Sequence, residues 1–198
     1  MKKYILLLLL FALSVAVRAA EKIPGQIVVG NTTEEVTFLI PVGFFGGGPG
    51  VEAMQTGIRY IDSKGKKRRL KPDQASEFSF KYEGRQYRMV SQQRSGNLFA
   101  RSVFMLLVID GKVRMFEYIV TSQSSARANG TGGISTTTTY YLLQKPNDQL
   151  YEPRVIGFKK GMTDYFSDCP KLVEMIDGKE FKRRDLDEIV VYYNTKCN

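Results

Sequence analysis

The stretch RSVFMLLVIDGKVRMFEYIV, residues 101–120, sets Asp110-Gly111 between two apolar runs. Asp-Gly is a strong hairpin signal, because both residues accept the positive φ that a tight turn requires. Residues 103–109 are apolar on both alternating faces. A strand of that kind calls for cover on both sides, so it predicts a central strand rather than an edge. Around it the chain alternates with period 2. Ile27 with Val29, Val36 with Phe38 and Ile40, and Phe78 with Phe80 and Tyr82 each point one way, with polar residues between. Turns are predicted at Ser63-Lys64-Gly65-Lys66, at Glu83-Gly84 and at Pro146-Asn147-Asp148. The run TTTTYY at 136–141 favours strand. Two stretches break the alternation and read as loops: GFFGGGPG at 43–50 and SQSSARANGTGG at 122–133. The fold expected is α+β and mainly β: an antiparallel barrel-like or strongly curved sheet over residues 24–153.

After Pro153 the period changes. Phe158, Met162, Tyr165 and Phe166 fall on one face of a helix. A second helix is expected over 169–177, capped by Asp168 or Cys169, with Pro170 in its first turn and Gly178 as its stop. A third starts at Asp185, with Glu188 three residues on in a capping-box arrangement. Leu186, Ile189, Val190 and Tyr193 share its apolar face, and Asn194 is expected to end it in a left-handed conformation. Residues 155–198 thus form a short three-helix tail.

The chain opens MKKYILLLLLFALSVAVRAAEK. Lys2 and Lys3, a run of about 14 apolar residues, then Ala19 and Ala20 have the layout of a secretory signal peptide over 1–19. The run is short of the ~20 residues that span a bilayer. Loss of Lys2, Lys3 and Arg18 would lower the formal net charge from +9 to +6. The expected location is therefore exported: periplasm, outer-membrane-associated or extracellular. In that setting Cys169 and Cys197, the only two cysteines, read as a disulfide. Antiparallel packing of the last two helices would bring one to the other. The closed loop is worth about 3–4 kcal/mol through the entropy of the open chain.

The ending YFSDCPKLVEMIDGKEFKRRDLDEIVVYYNTKC resembles the tail of a group of uncharacterised secreted proteins of Bacteroidetes-type bacteria. Their pattern is Asp-Cys-Pro, a Leu-containing helix, a basic or aromatic spacer, an acidic Ile-Val helix, and Tyr-Asn near a last Cys. Their N-terminal part is also β-rich and starts on a Gly-x-Ile-Val strand, here Gly25 to Val28. The resemblance implies export and a β domain with a helical tail, and no activity.

The chain has no histidine, which removes Ser-His-Asp and Cys-His catalysis and the commonest metal ligand. It has no tryptophan, which weakens a sugar-binding reading. The loop residues Phe44, Phe45, Gly46, Gly47 and Gly48 lack the Gly-Lys-Ser/Thr ending of a phosphate cradle and read as a binding loop or lid. Lys64, Lys66, Lys67, Arg68 and Arg69 form a basic run on a predicted hairpin, and KEFKRR at 179–184 repeats it. Such runs contact anionic surfaces or keep a sheet edge from pairing. Carboxylates that could do acid–base work are Glu34 with Glu35, Glu77 with Glu83, and Asp185 with Asp187 and Glu188. No cofactor and no catalytic residue is assigned. Nucleic acid is not an expected partner; an anionic surface or another envelope protein is. The reading is an exported non-catalytic binding or structural module, with a histidine-free hydrolase using paired carboxylates as the alternative.

Overall fold

The computed structural model describes residues 20–42, 48–94, 101–123 and 134–197. The predicted signal peptide lies outside them, as do Phe44, Phe45, Gly46 and Gly47 and most of the 122–133 loop. Nine strands run β1 (Glu21–Val29), β2 (Thr32–Ile40), β3 (Ile58–Ile61), β4 (Lys67–Leu70), β5 (Glu77–Tyr82), β6 (Arg85–Arg94), β7 (Arg101–Ile109), β8 (Arg114–Gln123) and β9 (Ser135–Gln144). They form one antiparallel sheet in the order β4-β3-β2-β1-β5-β6-β7-β8-β9, curved but not closed. Two meanders therefore meet at β1 and β5. The turns at 62–66 and 83–84 fall where the sequence places them, and β7 and β8 join across residues 110–113.

The alternating residues do what their period requires. Phe38, Phe78, Phe80, Met89, Phe104 and Leu106 pack on one face with Ile23, Ile27 and Ile40. The rings interlock: Phe38 and Phe78 lie 5.2 Å apart, and Phe104 meets Phe78 edge-on at 4.8 Å. On the opposite face Met105 packs with Val90, Phe116 and Leu142. So β7 is buried on both sides, as its two-faced apolar run predicts. Gly25 sits at the junction of the meanders. A Cβ there would strike the Ser79 carbonyl oxygen and the Phe38 ring at 2.7 Å, so only glycine fits.

The period change after Pro153 produces α2 (Phe158–Tyr165), α3 (Pro170–Asp177), a 3₁₀ turn (Arg183–Asp185) and α4 (Leu186–Lys196). Helix α1 (Val51–Met54) has only four residues and no sequence signal. It lies beside β8 because β7 and β8 pair only from Leu106 to Ile109 and splay apart beyond. Gln55 fills the gap. Its backbone carbonyl accepts from Phe104 N–H at 2.9 Å, and its amide makes two 2.7 Å bonds, one to Ile119 N–H and one to Ile119 C=O. Glu52 continues the substitution by accepting from Thr121 N–H and Oγ1, both at 2.9 Å.

The tail packs as a third core. Met162, Phe166, Leu172, Ile176, Ile189 and Val190 bury against Val113, Met115 and Leu143 of the sheet. Cys169 and Cys197 are joined, with Cα atoms 5.7 Å apart. Two local expectations, at Asn194 and at Asp185, are corrected. Asn194 does not end α4; it lies inside it, and its amide clamps Val113, accepting from N–H at 2.8 Å and donating to C=O at 2.9 Å. Gly178 caps the end of α3 where the sequence places the stop, and the left-handed residue is Lys179, one position on. Glu180 N–H bonds Met175 C=O and Lys179 N–H bonds Ile176 C=O, which is a Schellman ending. Asp185 reaches back to Lys182 N–H at 2.9 Å and makes no side-chain cap on α4.

Candidate functional site

A cleft of about 690 Å³ opens between the sheet and the tail. Its floor is the face of β8 and β9 that carries Met115, Glu117, Thr139 and Tyr141. These positions share a face because Met115, Glu117 and Ile119 stand opposite Leu143, Tyr141 and Thr139 in the register. One wall is the start of α4 with its 3₁₀ turn, contributing Arg183, Arg184, Leu186 and Asp187. The other is the connector Glu152–Val155, with Arg85 and Val108 at the far end. Val108 faces the cleft because β7 carries an irregularity between Leu107 and Ile109, which turns one extra residue outward.

Apolar exposure gathers here. Seven large apolar side chains are exposed among the described residues; Val108, Tyr141 and Val155 line the cleft, and Ile156 adjoins it at 92% exposure. Val155 is 68% exposed. Charge gathers too. Arg85, Arg154 and Arg183 make no ion pair with a described carboxylate; Arg184 meets only its neighbour Asp185, at 3.4 Å. Tyr141 stands opposite Glu117 in the β8–β9 register. Burial raises the Tyr141 pKa, and the charges of Glu117 and Asp187 raise it further, so the phenol stays a neutral donor in ordinary buffers. Asp187 stands in the first turn of α4, where a negative charge favours the helix.

The residues named from sequence mostly lie elsewhere. Lys64, Lys66, Lys67, Arg68 and Arg69 are exposed on the β3–β4 hairpin, at the opposite end of the strand order from the cleft. Arg68 pairs with Asp62 at 2.6 Å, and Asp62 also accepts from Lys64 and Lys66 N–H. Gly48 is exposed just before Pro49, whose bridge to Val42 closes the base of the glycine-rich segment. Of the acid pairs, Glu35 bonds Gln26 and Glu77 bonds Arg88; only Asp187 reaches the cleft. Among the described residues no group of acids or cysteines could hold a metal ion. No described helix is long and apolar enough to cross a membrane. Arg183 and Arg184 come from the second basic run, but Arg85 and Arg154 stand alone in sequence, and only the fold gathers them. Compared with family models, curated proteins and solved structures, the chain gives no match.

Proposed function

We propose that the chain is an exported, non-catalytic binding module whose ligand occupies the cleft between β9 and the helical tail. The observation that carries this is the gathering of exposed apolar side chains at one cavity. Monomeric proteins scatter such residues singly, and a local group marks a binding surface. The disulfide and the opening sequence are compatible with export. The paired-carboxylate alternative draws less support, because the acids that suggested it do not converge.

Two measurements test the proposal. When the full chain is expressed with its own N-terminus in a bacterial host, the exported product should begin at Ala20; retention of an intact chain in the cytoplasm would overturn the export half. For the cleft, the probe is 8-anilinonaphthalene-1-sulfonate, an apolar anion. The folded protein should enhance its fluorescence, and Val155→Glu combined with Arg183→Glu should cut the enhancement at least tenfold with unchanged circular dichroism. Enhancement that survives in the folded double variant would place the probe elsewhere and sink the cleft.

A further inference from the structure

The two edges of the sheet are built differently. β4 has four residues, three of them Lys67, Arg68 and Arg69. Short length and charge are the usual ways a sheet blocks an edge. β9 has ten residues, Ser135–Gln144, and no charged side chain. Residues 135–139 are exposed. Neither proline nor bulge interrupts its pairing with β8.

The direction of its backbone groups follows from two observations. Leu143 exchanges both hydrogen bonds with Tyr151 on the side away from β8, at 2.8 Å each. Residues alternate sides along a strand, so Tyr141, Thr139, Thr137 and Ser135 also direct N–H and C=O away from β8. Ile119 agrees: it directs both its groups to Gln55, away from β9, and it stands opposite Thr139. Tyr151 is thus the first residue of a tenth strand. The chain does not continue it, because the connector goes on through buried Pro153, which has no N–H to give. Among the described residues nothing pairs with the edge from Ser135 to Leu142. Where the connector leaves the edge, the cleft begins: Thr138, Thr139, Tyr140 and Tyr141 line it beside Glu152–Val155.

We propose that the open edge of β9 is a strand-addition site that takes an extended, acidic segment of a partner polypeptide, laid into the cleft as the tenth strand. This deepens the cleft reading and rests on it. Main-chain bonds to Ser135, Thr137, Thr139 and Tyr141 supply affinity, and alternate side chains reach the cleft. The acidic preference comes from Arg85, Arg154 and Arg183, which meet no carboxylate among the described residues. A second copy of this chain is the poorer occupant, since a β9–β9 pair would carry two sets of these arginines and two net positive charges into one interface.

The probe is a blocked ten-residue peptide alternating valine and aspartate, followed by fluorescence anisotropy with the full exported chain. The control peptide replaces aspartate with lysine, and a third carries N-methyl groups on alternate residues along one edge. The acidic peptide should bind at least tenfold more tightly than the lysine peptide, and N-methylation of the edge facing β9 should abolish binding. Thr139→Pro removes an outward N–H that β8 does not use, so the protein should fold and lose the peptide. Arg183→Glu, a surface change, should weaken binding at least fivefold. Absence of binding by the acidic peptide, or full binding by folded Thr139→Pro, would overturn the proposal. So would a peptide-free dimer in sedimentation at 100 µM, order of magnitude, that Thr139→Pro dissolves, because the occupant would then be a second copy. If the sulfonate probe binds the cleft and the peptide does not, strand addition falls while the cleft stands; if both fail, the cleft reading falls as well.

Discussion

Gln55 and Asn194 do the same chemical work at two points along one segment, the middle of β8 and the residue just before it. Each carboxamide stands in for a strand residue, giving and taking one hydrogen bond with a single backbone position, Ile119 or Val113. The bodies they hold differ. Gln55 belongs to a region held by rings: Phe38, Phe78, Phe80 and Phe104 are almost wholly buried, and no covalent link ties them. Asn194 belongs to a tail of three helices of eight to eleven residues, each too short to persist alone. There the disulfide, Lys112 donating to the Cys197 carbonyl at 2.5 Å, and Lys145 take the place of a large core. Lys145 bonds Asp168 at 2.8 Å and lies over the rings of Tyr165, Phe166 and Tyr193. One region is stable by burial; the other is assembled from ties.

Breaking each region at its strongest point separates them most. Phe78→Ala should cost about 3–5 kcal/mol and lower the cooperative urea midpoint of the sheet. An unchanged midpoint would show that the rings are not what holds it. Reduction, or Cys169→Ser with Cys197→Ser, should cost about 3–4 kcal/mol. Its effect should be local: hydrogen exchange should quicken in α2–α4 and stay slow in β1, β5 and β6. Uniform quickening would mean that the two regions unfold as one.

The two carboxamides give a finer cut. Gln55→Ala strands the Ile119 N–H and C=O, with the site only 4% exposed, and should cost about 2–3 kcal/mol. Asn194→Ala should cost about 1–2 kcal/mol: Val113 is wholly buried in the native chain, but the exposed Gly111 and Lys112 beside it give water a way in once the amide is gone. Equal thermal shifts would erase the distinction.

The smallest effect is in pH. Burial of Asp168 opposes its ionisation, but bonds from Lys145 and Tyr193 outweigh that and hold its pKa below the usual carboxylate value. Its contribution is present above the ordinary pKa of about 4 and is lost as pH falls through the lowered one. Asp168 is half exposed, so Asp168→Asn should cost under about 1 kcal/mol at pH 7. The acid slope of stability below pH 4 should flatten. Tyr193 moves the other way: burial, then its bond to Asp168, pushes it up to about 12. Its contribution is complete below pH 10 and lost as pH rises toward 12, so alkaline melting of the tail should be gentler in Tyr193→Phe.

What was legible in the sequence was local. Asp110-Gly111, Glu83-Gly84 and Lys64-Gly65 act through φ, which neighbours do not override, so the hairpins could be read directly. The two-faced run at 103–109 correctly marked a central strand. Asn194 was misread because its local taste for a left-handed ending is outweighed by the clamp on Val113. That clamp also explains Gly111, where a Cβ would meet the Asn194 amide at 2.5 Å. Helix α1 was invisible because four residues carry no period, and it exists to fill the gap between β7 and β8. The cleft was half legible. Arg183 and Arg184 stood in a visible basic run, but Arg85 and Arg154 join them only through the sheet order, and Val108 turns outward only through an irregularity in β7.

The meeting of the two meanders at β1 and β5 has a kinetic consequence. Every other strand pair joins neighbours in sequence, while Gly25 faces Phe80 across 55 residues. Each meander can therefore form on its own early, and their union must wait for a single long loop to close. The chain should fold with one slow step, located at the Gly25–Phe80 contact, and Gly25→Ala should lengthen that step by crowding the place where the halves come together.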